Sequence, residues 1–332
     1  MDPRRYQVSV VISSHNRASQ LPTALDALCT QTGHVPYEVI LVDNNSTDST
    51  AEVVASRRRL HPHLSYLLEP TQGLPYARNT GVLAAQGDIV AFTDDDVVVG
   101  TEWVSTIKRL FDENPEIDML GGRVRPIWPA SVPSWVTRRQ LGPFALGERG
   151  DTPQRLDAQN AAPCLVGANF AFRRRVFERV GLFDPRFIKS QDREIQLRLW
   201  RAGGTGLYCP ELAIEVAVPP DRLTKKYFRY WYGIYGIYHS RMGLLDSLDR
   251  EGRLVQPGGR RFLGAPAFLY RTLLESVWRW CTSIARLDSA TAFHWENHVR
   301  YLFNYLRERA RESRGGRTAP PPPPMSAWEI AP

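Results

Sequence analysis

Four short runs of β-branched and aliphatic residues punctuate the first 95 residues: VSVVIS (8–13), EVILVD (38–43), LSYLLE (64–69) and DIVAFT (88–93). Each is the length of a buried strand, and a helix-patterned stretch follows each one. Leu21, Ala24, Leu25 and Leu28 keep the i, i+3, i+4, i+7 spacing of one buried helix face. Ser49-Thr50-Ala51-Glu52 has the form of a capping box, Ala77 to Ala85 reads as a short helix stopped at Gly87, and 102–111 as another before a strand over 119–124. Strands separated by helices predict an α/β fold with a mostly parallel sheet and helices on both faces. In such sheets ligands bind at the carboxyl ends of strands. Polar clusters stand at those ends here: Ser14-His15-Asn16-Arg17, Asp43-Asn44-Asn45-Ser46 and Asp94-Asp95-Asp96.

The pattern breaks between Pro126 and about Asn160, where Pro, Trp, Arg and Gly predict a long irregular flap. Regular structure returns over 167–181, and a helix is expected from Asp192 to Arg201, closed by Gly203-Gly204. The expected organisation is an α/β domain over 1–220 that includes the 126–160 flap, a basic, aromatic helical extension over 221–312, and a Pro-rich disordered tail over 313–332. Charge follows this division. Residues 1–220 hold 24 Lys+Arg against 25 Asp+Glu, whereas 221–332 hold 18 against 10. A basic appendage on a neutral body suits an anionic surface such as a membrane face, and nucleic acid is not expected as a partner. The segment YFRYWYGIYGIY (227–238) suits either a membrane interface or packing of the C-terminal helices. Four widely spaced cysteines form neither a zinc pattern nor a disulfide framework, and neither a spanning segment nor a secretory leader is expected. The expected location is cytoplasmic, with peripheral attachment to the inner membrane face.

Three consecutive carboxylates after a buried strand repel one another by on the order of several kcal/mol at an effective dielectric near 20. A lone acidic triplet is more simply a solvated turn. At the end of a strand, beside other polar strand ends, it points to a divalent cation such as Mg²⁺ or Mn²⁺, held by the Asp94 and Asp96 D-x-D pair together with substrate phosphates. Asn44 either caps the next helix or reads a nucleobase or ribose edge. Arg78, in GLPYARNTG, either holds a pyrophosphate, orders the strand-end carboxylates or makes a surface ion pair. Asp192 opens a helix, where a carboxylate either caps it or accepts a proton from a hydroxyl.

VSVVISSHNRASQLPTALDAL, EVILVDNNSTDST, GLPYARNTGVLAAQGDIVAFTDDD and SQDREIQLRLWRAG, in that order, resemble the family 2 inverting glycosyltransferases of the GT-A fold. The resemblance runs from residue 7 to about 220. It implies that Ser14, Asn16, Arg17 and Asn44 bind the donor, supported by Asp43 and Arg78. It implies too that Asp94 and Asp95 face ribose or sugar, that Asp96 binds the metal, and that Asp192 is the general base for in-line attack with inversion. GANFAF matches the acceptor-side segment of relatives, so Asn169 is either an acceptor-side group or a turn residue before the next helix, and Gln191 is expected on the acceptor side; Trp128, in the irregular segment, either stacks on a sugar or packs in the core or flap. The implied donor is a nucleotide sugar, with UDP-sugar expected, and the implied acceptor is a glycan or a lipid-linked or cell-surface precursor.

Two departures stand out. Gln191-Asp192 replaces the family's usual Glu-Asp, and AIEVAVPPDR has no histidine where many relatives carry a metal ligand, leaving Glu215 or an extra water for that position. The Gln-x-x-Arg-Trp signature of processive synthases is not kept by Gln196-Leu197-Arg198-Leu199-Trp200, which suggests a single transfer. The rivals are a nucleotidyltransferase, disfavoured because Ser13–Arg17 contains no glycine, and a non-catalytic protein binding membrane or nucleic acid on the same fold.

Overall fold

The computed structural model describes residues 6–162, 164–249, 251–256 and 258–315. Of the Pro-rich tail expected over 313–332, residues 316–332 lie outside the described residues, and Ser313 still belongs to a helix. The chain forms two compact units: one comprises the described residues through Arg125 and Gly147–Val216, the other Pro126–Leu146 and the described residues from Ala217 on.

The first unit is built on a nine-stranded sheet flanked by helices. In chain order its elements are β1 (Val8–Ser14), α1 (Leu21–Cys29), β2 (Tyr37–Asp43), α2 (Thr50–Arg58), β3 (Leu64–Leu68), α3 (Leu74–Ala84), β4 (Ile89–Asp94), β5 (Val97–Val98), α4 (Trp103–Glu113), β6 (Met119–Ile127), β7 (Gln154–Leu156), β8 (Phe170–Arg173), α5 (Arg175–Val180), α6 (Gln191–Arg201) and β9 (Gly206–Ala217). The sheet runs β3-β2-β1-β4-β8-β6-β9-β5, with β7 paired to β9. The pairings among β3, β2, β1 and β4 are parallel, whereas β8 pairs antiparallel with β4 and β6, and β9 antiparallel with β5 and β7. Register decides where the polar residues go. Ser14 lies opposite Asp43, and Ser13 opposite Asp94, so three strand ends finish on one edge.

Burial follows the sequence pattern. Leu21, Ala24, Leu25 and Leu28 of α1, with Trp103, Val104, Ile107 and Leu110 of α4, pack on β1, β2 and β4. On α3, Gly81 approaches β1 so closely that a Cβ there would meet Val11 Cγ1 at 2.3 Å. Phe92, Phe170, Phe172, Phe177 and Phe183 form an aromatic cluster with ring centroids 4.9 to 6.4 Å apart. Several local expectations change. Ser49 makes no capping hydrogen bond; Asp48 takes that work, accepting from the Thr50 backbone N–H at 3.1 Å and its hydroxyl at 2.6 Å. Helix α3 starts at Leu74, earlier than expected, because Pro75 suits its first turn. Strand β9 was not anticipated.

The second unit contains α7 (Lys225–Arg241), α8 (Leu244–Ser247), the β10 (Arg261–Phe262) and β11 (Ala265–Pro266) hairpin, α9 (Ala267–Ala285) and α10 (Ser289–Ser313). The aromatic segment 227–238 lies within α7 and packs inward in part: Phe228 is fully buried with Phe144, Phe293 and Trp135 around it. A second cluster gathers Leu269, Leu302, Tyr305 and Leu306. Beside it the buried Asp246 binds Arg261 and Arg309 and accepts from the Tyr305 hydroxyl at 3.0 Å. Among the described residues, no helix is long and apolar enough to cross a membrane.

Candidate active site

The strand ends are sewn together by their own polar groups. His15 Nδ1 bonds the Asn44 carbonyl at 2.9 Å, the Asn16 N–H donates to Ser46 Oγ at 2.9 Å, and Thr47 N–H donates to Asn16 Oδ1 at 2.7 Å. Asn16 sits at φ 53°, a left-handed conformation that asparagine tolerates. Asp43 accepts from the Ser46 N–H at 2.9 Å and from the Tyr66 hydroxyl at 2.8 Å. Asn44 spends its whole amide on the 69–73 loop, donating to the Glu69 and Thr71 carbonyls and accepting from the Gly73 N–H. Its side chain therefore shapes the strand-end loop rather than offering an unused group to a nucleobase.

The acidic triplet divides by burial. Asp95 points inward and accepts from Ser14 Oγ at 2.7 Å, while Asp94 and Asp96 are partly exposed. Burial pushes the Asp95 carboxyl up to about 6; the Ser14 bond opposes this, the Asp96 and Asp94 charges add to it, and Arg17 counters them. The native state thus retains a proton that the unfolded chain releases nearer pH 4, so stability falls as pH rises through roughly 4 to 6. Asp95→Asn is expected to stabilise the ligand-free protein by about 2 kcal/mol near pH 8 and by almost nothing near pH 4, read as a Tm difference in EDTA.

Arg78 joins the triplet to α6. It is wholly buried, with its guanidinium 5.3 to 5.6 Å from the ring centroids of Phe92, Phe170 and Phe183. One Nη2 hydrogen reaches the Gly167 carbonyl at 3.0 Å, and the same nitrogen lies 3.6 Å from Asp94 Oδ1. Nη1 is buried without a hydrogen-bond partner. Burial pulls this guanidinium below its ordinary pKa, and the charges of Asp94 and Asp192 push back. A Cβ at Gly167 would lie 2.8 Å from both Arg78 terminal nitrogens, so glycine there leaves the guanidinium its place.

Asp192 occupies the first turn of α6, after Ser190 turns the chain at φ 63°. Its Oδ1 accepts from the Arg193 N–H at 2.8 Å, and Oδ2 lies 3.4 Å from the Gly167 N. Gly167 thus touches Arg78 through its carbonyl and Asp192 through its amide. Gln196, one turn further on, clamps this segment by exchanging two hydrogen bonds with the Leu165 backbone, at 2.8 and 2.9 Å. The sequence reading missed Gln196, because its partner lies 31 residues away. Cys164 neighbours Asp192 and Arg193, but burial pushes its thiol up to about 11, so it is no nucleophile near neutral pH.

One acceptor-side expectation is corrected. Asn169 is fully buried: its Oδ1 accepts from Trp103 Nε1 at 2.9 Å, and its Nδ2 donates to the Arg123 and Leu212 carbonyls. It braces α4, β6 and β9 and has no surface to offer an acceptor. Trp128 packs edge-on to Phe144 at 5.2 Å and remains 36% exposed. Gln191 is buried in the first turn of α6, next to Asp192. Arg17 donates to Gln20 Oε1 at 2.8 Å.

Among the described residues no three His, Cys, Asp or Glu side chains converge as a ready-made metal site. The donor set still fits Mg²⁺ or Mn²⁺. Asp94 and Asp96 present partly exposed carboxylates on one turn, on either side of the buried Asp95. Such ions commonly take one or two protein carboxylates and complete their shell with water and phosphate oxygens. Glu215, exposed on β9, pairs with Val98 two residues beyond Asp96.

Residues 9–181, more than half of the chain, match the family model for glycosyl transferase family 2. The chain belongs to that family. It is 30% identical over 233 residues to glycosyltransferase AglE of Haloferax volcanii, an alignment covering 68% of this chain and 72% of the relative. Over 192 residues it is 25% identical to the glucosyl-dolichyl phosphate glucuronosyltransferase of the same organism, covering 57% of this chain and 60% of that protein. Among solved structures it is similar to the mannosyltransferase PcManGT of Pyrobaculum calidifontis in complex with GDP-Man and Mn²⁺, with TM-score 0.59, 19% identity, and 95% and 89% of the two chains covered. It also resembles residues 1–349 of S. aureus TarS in complex with UDP, with TM-score 0.52, 15% identity, and 94% and 92% covered. This family 2 glycosyltransferase has the GT-A fold expected from its sequence, and it is an enzyme.

Proposed function

We propose that this glycosyltransferase is metal-dependent and inverting, and that it moves one sugar from a nucleotide sugar, with UDP-sugar as the expected donor, to a hydroxyl of a glycan or lipid-linked acceptor. The observation that carries this reading is Arg78, a buried cation within electrostatic reach of both Asp94 and Asp192. Donor diphosphate lies against the strand ends of β1, β2 and β4, with Ser14, Asn16, Arg17 and Asp43 forming its surroundings. Asp94 and Asp96 would hold a divalent cation, which when bound offsets negative charge on the departing diphosphate. Arg78 fixes the Asp94 carboxylate and, through Gly167, the segment that meets Asp192. The Asp192 carboxylate takes the proton of the acceptor hydroxyl as its oxygen bonds to the anomeric carbon; the bond from that carbon to phosphate oxygen breaks, and its electron pair leaves with the nucleoside diphosphate. One displacement inverts the anomeric centre. A lipid-linked acceptor finds support in the name of the glucuronosyltransferase relative, and peripheral membrane attachment accords with such an acceptor.

The test is a screen of UDP- and GDP-sugars with Mn²⁺, read as protection against thermal unfolding and as slow hydrolysis of the donor. Protection by UDP-sugars that EDTA abolishes is the expected result. Protection by GDP-sugars alone would move the donor assignment, and protection unaffected by EDTA would remove the metal from the reading.

A further inference from the structure

Two leucines of the second unit adopt a backbone conformation that disfavours them: Leu263 at φ 45° and Leu287 at φ 57°. Both are exposed, Leu287 by 91%. At such positions Gly or Asn is the unstrained choice, and the β10–β11 hairpin has Leu263-Gly264 where Asn-Gly is the favoured pair. Neither strain nor solubility explains a leucine at these corners. Each gains something only if its side chain meets an apolar medium.

Helix α9 runs between the two corners, and its outward side continues the pattern. Leu274 (71% exposed) and Trp278 (67%) stand there with Phe268, and Ile284 is exposed near the α9 end. Phe262, next to Leu263, packs edge-on to Tyr270 of α9 at 5.3 Å, which holds the hairpin against the helix. Arg271 shares this side, with Arg279 and Arg286 exposed beside it. Residues 260–287 carry five arginines and the single acid Glu275; Arg261 is committed to the buried Asp246, Arg271 pairs with Glu275 at 2.8 Å, and Arg279 lies over the Trp295 ring at 4.9 Å, which leaves a net positive charge along this side. Aromatic and aliphatic side chains on one helix side, bordered by arginines, describe an element that lies in a membrane interface, since long cationic side chains reach the headgroups while the rings enter the acyl boundary.

The geometry points to the α9 side, together with the Leu263 and Leu287 corners, as the surface on which this protein docks to an anionic lipid bilayer. A second copy of the chain is the poorer occupant, because self-pairing would bring arginine against arginine. The aromatic run of α7, which the sequence offered for this purpose, has Phe228 in the core and Trp231 stacked on Tyr235 at 3.8 Å. The inference gives the proposed lipid-linked acceptor a physical setting but does not depend on it, since docking requires neither donor nor acceptor.

Sedimentation with phosphatidylcholine vesicles, with and without about 30% phosphatidylglycerol, tests it on the full chain. Partitioning should be about ten-fold stronger onto the anionic vesicles and weaken with salt. Combining Leu274→Glu with Trp278→Glu should lower it at least about ten-fold, and combining Arg271→Gln with Arg279→Gln should lower it several-fold and flatten the salt dependence. Leu287→Asn should weaken docking while leaving Tm unchanged or higher, a combination that no folding defect produces. The proposal is overturned if the wild type ignores anionic vesicles, or if the Glu variant binds them equally well. It is also overturned if sedimentation velocity shows a vesicle-indifferent dimer that the Glu variant splits, which would assign the surface to a second copy. Donor protection by nucleotide sugars, measured on the same variants, should be unchanged, so docking and transfer can fail separately.

Discussion

Asp192→Asn is expected to lower the rate of sugar transfer at saturating donor by about a thousand-fold or more, while nucleotide affinity and Tm stay near wild type. The substitution keeps the size of the side chain in the first turn of α6, and its one remaining oxygen can still accept from the Arg193 N–H, so only the long 3.4 Å contact with the Gly167 N is given up. What is lost is a group able to hold the acceptor's proton as the new bond forms. A thousand-fold corresponds to about 4 kcal/mol of transition-state stabilisation, a normal contribution for a positioned general base. Single-turnover rates at several acceptor concentrations read the effect. A variant retaining more than about a tenth of wild-type turnover would mean that Asp192 serves only the helix end.

Arg78→Met is expected to separate stability from activity. Methionine nearly fills the guanidinium's place among Phe92, Phe170 and Phe183 without requiring a buried charge and an unpartnered Nη1. Replacing a buried charge by an apolar group of similar volume is commonly neutral or stabilising. The usual penalty of stranding a partner carboxylate is small, because Asp94 and Asp192 both reach solvent. Tm should hold or rise, whereas transfer should fall by about a hundred-fold or more as Asp94 and the Gly167 segment lose their common tether. Arg78→Lys should rescue little, since a compact, strongly hydrated ammonium is a costlier charge than a guanidinium to hold among Phe92, Phe170 and Phe183. A variant with lowered Tm and unchanged turnover would make Arg78 a core residue with no part in transfer.

The first four strands, their order of polar ends and the buried face of α1 were legible because period and burial agree there. Parallel register did the rest, carrying Ser14, Asp43 and Asp94 to one edge. Strand β9 escaped notice although Leu212 and Ile214 alternate with exposed Glu211, Ala213 and Glu215, because Pro210 and the acids mask the run. At the site, residue type misled wherever long-range hydrogen bonding decides the role. Asn169 and Asn44 look like ligand-facing amides in the sequence, yet both spend their polar atoms on backbone or indole groups 25 to 66 residues away. Gln196 and Gly167 carry no local signal at all. Their importance exists only once α6 and the 165–167 segment meet.

The most direct test of the central claim is calorimetric titration of a nucleoside diphosphate, with Mn²⁺ and with EDTA, into the wild type and Asp96→Ala. Mn²⁺ should tighten binding to the wild type by at least about ten-fold, and the same ion should do almost nothing for the variant. Equal affinity and equal Mn²⁺ dependence in both proteins would contradict the claim that the carboxylates at the end of β4 and just beyond it bring cation and diphosphate together.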